Sequence, residues 1–579
     1  MRFLSLMSAT SLLVLAACAS TPESATPAAA TPAELSTPFT LTTGSPRTPE
    51  QQSVRFEKAD LAIRVMPDSQ SIDAVAVLDV TAAQPVDRLV FELDTRLPIR
   101  SIVINGRPLT TAEWSNPDGR LTIVLPQTLA AGRGASVRIA YGGHPRTAPQ
   151  APWDGGFVWS AAPNGQPWIA TAVQGEGCDL FWPCIDHPLG EPGRVDLHIT
   201  VPTGLMAPSN GRFIGSVDHG DGWTTWTWSA REPNTYAIAL NIGPYVEMQA
   251  DHVSRYGATI PLRFWPLSTD DPAKAQGLFD QFPRMMDFYE ATVGPFPFGD
   301  DKMGVVETPH LGMEHQTINA YGNAYRLDGK DYDWLLHHEL AHEWFGNQMT
   351  DADYDDLWLH EGLGSYMQPL YARWLNGDRA MQVELSEMRG KLINRFPLVS
   401  GRPQDDDSVY DSARGPGLDL YNKGALVAHS LRLLIGDHAF FETIRRLVYG
   451  TDDPRPGQFE PRFGTTAEFE ALASRAAGRD LGWFFDVYLH QAALPELRQT
   501  RAGDRIVLEW ITEGGRPFPM PLEVEVEGRV QTLSMTGGRG ELVAPAGAHI
   551  LIDPQNKVLR RLEHIEAWQA ARAAPTAPK

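Results

Sequence analysis

The sequence predicts a multidomain α+β protein, strand-rich at its start, mainly helical through its middle and strand-rich again near its end. Three observations carry this reading. The chain has 579 residues, more than one ordinary core accommodates. Residues 51–248 hold short runs of small, β-branched and alternating residues, whereas residues 249–494 place apolar side chains at helical spacing. Residues 495–555 return to alternation, with Leu522, Val524 and Val526 set between Glu523, Glu525 and Glu527.

Taken in order, the chain begins with Arg2 and an apolar run from Leu4 to Leu15, too short to span a bilayer as a mature helix. The tetrad Leu15-Ala16-Ala17-Cys18 resembles a bacterial lipobox, in which the cysteine is lipidated and becomes the new N-terminus. Residues 1–18 therefore read as a lipoprotein signal peptide, with an ordinary cleaved signal as the alternative. The expected location is the bacterial cell envelope, lipid-anchored through Cys18. Ala19 at the next position points to the outer membrane, facing the periplasm. Residues 19–50 are dominated by Ala, Thr, Pro and Ser, which offer little to offset ordering entropy, and are expected to form a disordered tether.

An N-terminal antiparallel β domain is expected over residues 51–248. Segments 74–80 and 89–93 are strand-like, and Asn105-Gly106 after Ile102-Val103-Ile104 is a hairpin signal. Segment 223–228 alternates aromatic with polar residues, as a half-exposed strand does. Cys178 and Cys184, separated by five residues, either pair in an oxidising compartment or serve as small buried apolar groups.

In the middle, Leu278, Phe282, Met286 and Tyr289 recur at helical spacing, with Pro283 expected to kink that helix or mark its start. Further helices are expected over 331–346, 357–375 and 426–435, and one or two over 469–489. A closing helix over 556–572 with a frayed tail to residue 579 completes the chain. The net charge of −22 leaves no basic excess to neutralise phosphates, which argues against a nucleic-acid partner.

The chemistry is concentrated in the middle. His338-Glu339-Leu340-Ala341-His342 places two imidazoles four residues apart, one helical turn above each other, where both reach one cation. Glu339 between them can touch water beside the metal without ligating it. Glu361 follows His342 after eighteen residues, on a second helix that returns its carboxylate to the same ion. Two imidazoles and one carboxylate leave a fourth position open, the arrangement of catalytic zinc, so one Zn2+ per chain is expected. His337 and His360 point about 100° away from the ligands beside them and read as surface or supporting groups. Asp355 and Asp356 could orient a ligand imidazole or simply be solvated.

These motifs and their neighbours resemble the aminopeptidase N family of gluzincins, which includes the leukotriene-hydrolase branch. The resemblance rests on the run from His338 to Asn347 and on Asp356-Leu357-Trp358-Leu359-His360-Glu361-Gly362. It extends to Gly312-Met313-Glu314-His315, similar to the family's GxMEN signature, and Tyr421-Asn422-Lys423-Gly424, similar to its YxKG segment. Segment 174–188 and the Phe484-Phe485 region agree as well. The resemblance implies an N-terminal β domain, a thermolysin-like, mainly helical catalytic domain over 249–494 and a C-terminal small β-sandwich over 495–555. It also implies a less enclosed site, because the large helical domain of many relatives is not seen.

The implied activity is removal of N-terminal residues from peptides, with Glu339 as general base toward a zinc-activated water and Tyr421 donating to the oxyanion. Glu314 would anchor the substrate ammonium, with a second anchor from Gln174 or Glu176, and Gly312 and Met313 would pair with an extended peptide. Tyr410 lacks such context and reads as structural. His315, where the family has asparagine, either titrates near neutrality or fills the asparagine's place. Alternatives are an endopeptidase or epoxide hydrolase on the same scaffold, or a non-catalytic lipid-anchored peptide binder. No motif speaks to oligomeric state.

Overall fold

The structure, a computed structural model, describes residues 37–573. The expected signal peptide, its Cys18 and residues 19–36 of the expected tether lie outside the described residues. The rest of that tether, 37–50, departs from the expectation, because it is packed against the protein. Thr40 and Thr43 are buried, and Phe39 lies under the Arg120 guanidinium, 4.4 Å from ring centroid to Cζ. The Thr43 hydroxyl donates to Asp186 at 3.0 Å and Arg47 to the Leu189 carbonyl at 2.8 Å. Gly44, at φ 81°, approaches so closely that a Cβ there would lie 2.4 Å from the Tyr354 ring. Hydrogen bonds and close backbone approach hold this segment, and composition does not register either.

The N-terminal domain is built on an eight-stranded sheet. Its middle is the hairpin of Val54–Met66 and Ser71–Ala82, whose alternate residues Leu61, Ile63, Val65, Ala76 and Leu78 are buried. Most neighbours are antiparallel, as expected. Val54–Met66 and Arg194–Pro202, however, run parallel, with Ala59 opposite Val195. A parallel pair requires a long crossover, and here the intervening strands supply it. Asn105 and Gly106 have φ of 48° and 83° and close the two-residue turn between Ile99–Ile104 and Arg107–Pro108. Cys178 and Cys184 form a disulfide.

The middle part opens with a five-stranded sheet, in the order Met248–Val253, Thr259–Trp265, Met303–Glu307, Asn319–Tyr321, Gly312–Met313. Its two faces serve two cores. Leu262, Phe264, Val305 and Tyr321 pack with the helices, whereas Trp265, Val306, Ala320 and Met313 pack with the N-terminal domain. The period of two along each strand thus welds the two parts together and leaves Gly312–Met313 on an edge at their junction.

Pro283 sits in the first turn of Phe282–Thr292, so it starts that helix rather than kinking it. The helix expected over 331–346 is shorter, Trp334–Ala341, capped by the Asp333 carboxylate on the Leu336 amide at 3.1 Å. Beyond His342 the amides of Asn347, Gln348 and Met349 reach back five residues, to His342, Glu343 and Trp344, so the helix widens and ends. Trp358–Asn376 follows as expected, whereas the helix expected over 426–435 begins seven residues earlier, as Asp419–Ile435, and the two pack together. Asp378–Arg389, Asp406–Tyr410 and Asp437–Tyr449 are helices the sequence reading did not place.

Two three-stranded sheets between Glu496 and Ile552 form the C-terminal β unit, and their buried Leu508, Trp510, Leu522 and Val524 join the core of the helices. The closing helix is Glu563–Ala573, later than expected. Residues 556–562 form no regular element: the Asp553 carboxylate accepts the amides of Lys557 and Val558, and Tyr488 donates to the Leu559 carbonyl at 2.6 Å. No helix among the described residues is long and apolar enough to cross a membrane.

Candidate active site

His338, in the last turn of Trp334–Ala341, and His342, one turn on, bring their Nε2 atoms to 3.3 Å of one another. Glu361, in the first turn of Trp358–Asn376, places Oε2 at 3.6 Å from each. The Phe345 carbonyl accepts from His342 Nδ1 at 2.9 Å, which puts that ring's proton on Nδ1 and leaves Nε2 as a lone pair. Glu361 Oε2 is buried without a hydrogen-bond partner in the structure. Ring nitrogens converging on an orphaned carboxylate oxygen fit a divalent cation, and these three residues could hold one. Although burial pushes the Glu361 carboxyl up, His338, His342 and Tyr410 together hold it below the usual carboxylate range.

Two phenols meet the same ligand. Tyr421 donates to Glu361 Oε1 at 2.8 Å and Tyr410 to the same atom at 2.7 Å, with 3.3 Å between the two hydroxyls. The reading of Tyr410 as merely structural is therefore corrected: it stands in the site. Nothing local marked it, because eleven residues and a loop separate it from Tyr421.

Glu339 is buried, and burial, then the charges of Glu314 and Glu361, push its carboxyl well above the usual range. Gly312 makes room for it, since a Cβ there would lie 2.4 Å from Glu339 Oε1. Ligand atoms of Glu314, Glu339 and His342 all lie within 4.8 Å of one another. Glu314 Oε1 accepts from Gln174 Nε2 at 3.0 Å and from Tyr236 at 2.6 Å. Of the two candidates in the N-terminal motif, Gln174 is the one beside Glu314. Glu176 faces elsewhere, accepting the Gly155 amide at 2.7 Å and pairing with Arg146 at 3.2 Å, and burial pushes it up to about 7. Tyr236 was missed because no periodicity singles out one tyrosine in a turn beyond the strand Trp223–Arg231.

A brace fixes these parts relative to each other. The buried Glu343 accepts from the Thr317 amide and from Asn319, while Asn347 donates to the Glu314 carbonyl at 3.1 Å. The segment following the paired histidines is thereby tied to Gly312–Met313, whose Gly312 and Met313 pair only with Tyr321 and Ala320 and leave the outer edge free among the described residues.

The flanking groups are interior rather than surface. His360 accepts the Asp351 amide at 2.8 Å, and His337 stacks between Tyr371 and Tyr289. Asp355 accepts the amides of Ser400 and Gly401, and Asp356 that of Thr466, so neither orients a ligand imidazole. His315 is fully buried and burial holds its ring down to about 3, which removes titration near neutrality.

A family profile described as the peptidase family M1 domain matches residues 281–486, and one described as the peptidase M1 N-terminal domain matches residues 55–236. Among curated relatives, "Probable aminopeptidase 2" of Sulfurisphaera tokodaii is 22% identical over 412 residues, 66% of this chain and 48% of the relative. "Aminopeptidase N" of Lactococcus lactis is 28% identical over 39% of this chain and 26% of its own length. Human "Aminopeptidase B" is 23% identical over 65% of this chain and 59% of its own length. The matches thus span between 26% and 59% of the length of these three curated relatives. Among solved structures, an M1 zinc metallopeptidase from Deinococcus radiodurans is 25% identical, with a TM-score of 0.62 over 77% of this chain and 95% of that one. A mutant of an M1 zinc metallopeptidase from the same organism, bound to a Tyr-Ser-Ala substrate, aligns with a TM-score of 0.64 at 24% identity, over 77% and 96% of the two chains.

Proposed function

The chain belongs to peptidase family M1, and from that membership we propose that it is a zinc aminopeptidase, hydrolysing the first peptide bond of peptides with a free N-terminus. The observation that carries the exopeptidase part is Glu314, a buried carboxylate held by Gln174 and Tyr236 beside Glu339 and His342. A carboxylate there suits a substrate ammonium, and with the amine held, the first peptide bond is the one within reach of Glu339.

His338, His342 and Glu361 would hold the zinc, which as a Lewis acid polarises a carbonyl and lowers the pKa of water. Glu339 takes the proton of the attacking water and passes it to the leaving amine. Its high proton affinity comes partly from the charge of Glu314, so a substrate ammonium that neutralises Glu314 also makes Glu339 easier to ionise. Tyr421 lies beside the His338 ring, centroids 5.9 Å apart, and turns its hydroxyl to the oxygen that gains charge. The free edge of Gly312–Met313 pairs with the extended substrate backbone.

The test compares wild type with Glu339→Gln on free and N-acetylated peptides, with metal content measured beside activity. Zinc in both proteins, activity in wild type only, and cleavage of free peptides only is the expected outcome. Equal rates on acetylated peptides sink the aminopeptidase reading.

For location, the support is the apolar run followed by Leu15-Ala16-Ala17-Cys18. On that basis the mature chain is lipid-anchored in the bacterial cell envelope. Incorporation of labelled fatty acid in wild type but not in Cys18→Ser is the outcome that supports it, and equal labelling removes it.

A further inference from the structure

We propose that Tyr410 is a positioning residue for the metal-binding carboxylate, keeping Glu361 oriented while Tyr421 is engaged with substrate. The catalytic half of this inference rests on the aminopeptidase reading; the metal-holding half does not.

The two oxygens of Glu361 have different surroundings. Oε2 faces His338 and His342 at 3.6 Å and carries no hydrogen bond, whereas Oε1 accepts from both Tyr410 at 2.7 Å and Tyr421 at 2.8 Å. Two donors use both lone pairs of Oε1, which leaves Oε2 as the oxygen free for a cation. The pair of phenols therefore selects which oxygen binds and fixes the carboxylate plane.

A phenol has one proton, so Tyr421 cannot donate to Glu361 and to a developing oxyanion at the same time. When it turns to the substrate, Oε1 loses a donor inside a buried site, where an unmet carboxylate oxygen is costly. Tyr410 remains and limits that cost. Its backbone is anchored independently of Tyr421's helix: it ends Asp406–Tyr410, which Asp405 caps at the Ser408 amide at 2.8 Å. The Asp406 amide also reaches the Thr43 carbonyl of the N-terminal segment.

The experiment measures zinc affinity by chelator competition on metal-free protein, thermal stability of the metal-free forms, and steady-state kinetics, for Tyr410→Phe and Tyr421→Phe. Tyr410→Phe should weaken zinc about 10-fold or more and lower kcat about 10-fold with little change in KM, at unchanged metal-free stability. Tyr421→Phe, which leaves Tyr410 as the remaining donor to Oε1, should lower kcat about 100-fold or more. Tyr410→Phe with either wild-type zinc affinity or wild-type kcat overturns the proposal. If wild type holds zinc but cleaves no peptide, the aminopeptidase reading fails while the zinc titration still decides the metal-holding role.

Discussion

Gln174 of the N-terminal domain donates from Nε2 to Oε1 of Glu314 at 3.0 Å, across 140 residues of sequence. Tyr236, also from that domain, donates to the same oxygen. The pocket assigned to the substrate ammonium is thus assembled from both domains, with its charge on one side and the groups that aim it on the other.

That division predicts a graded kinetic response. Glu314→Gln should raise KM for an unblocked dipeptide about 100-fold, the loss of a charge-assisted contact. Gln174→Ala should raise it about 10-fold, because the charge stays and only its aim is loosened. Glu176→Gln should leave KM within about twofold, since Glu176 serves Gly155 and Arg146. A larger KM effect at Glu176 than at Gln174 would reverse the assignment.

Gly312 offers a test of a different kind. A Cβ there would meet Glu339 Oε1 at 2.4 Å and Leu335 Cδ1 at 2.7 Å, so the carboxylate proposed as general base has to move. Gly312→Ala should lower kcat about 100-fold while zinc content stays at wild-type level, because the metal ligands are not displaced. Retained kcat would mean that Glu339 has slack the structure does not show.

His315→Asn isolates the histidine that stands at the asparagine position of the GxMEN signature this segment resembles. Burial holds the ring neutral over the working range, so the pH dependence of kcat/KM should keep its shape in the variant. Loss of a limb between pH 6 and 7 would show that this ring titrates after all.

How much of this was legible beforehand follows from how each feature is encoded. His338, Glu339, His342 and Glu361 were readable because one helical turn and one helix return bring them together, and local spacing reports that. Tyr421 and Glu314 were readable only through the family's motifs. Tyr236, Tyr410 and Glu343 were not, since their roles arise where distant segments meet and no local period records the meeting. The same holds for the parallel pairing of Val54–Met66 with Arg194–Pro202. It holds also for residues 37–50, whose composition reads as a tether but whose Thr43 and Gly44 dock on Asp186 and Tyr354. The helix after His342 was overextended because apolar spacing continues through Trp344 and Phe345 while the backbone has already widened.

The docked N-terminal segment leads to a pH effect separate from catalysis. Glu92 is buried beneath it, with Oε1 accepting from Gln51 at 2.6 Å and Oε2 from the Asp186 amide at 3.1 Å. Burial pushes Glu92 up to about 7 from an ordinary value of 4.5, and burial together with the charge of Glu92 pushes Asp186 upward too. With folded values raised, the folded protein keeps protons that the unfolded chain has lost between these limits. The stabilisation is therefore fully present below about pH 4.5 and is lost as pH rises through about 7. Glu92→Gln has no proton to lose. Its melting temperature relative to wild type should therefore shift in the variant's favour by about 2 °C between pH 5 and pH 8. Proteolysis within residues 37–52 should increase over the same interval in wild type and less in the variant, because Gln51 hydrogen-bonds the carboxylate that becomes charged. A stability difference that stays constant with pH would mean that Glu92 is already ionised in the folded protein.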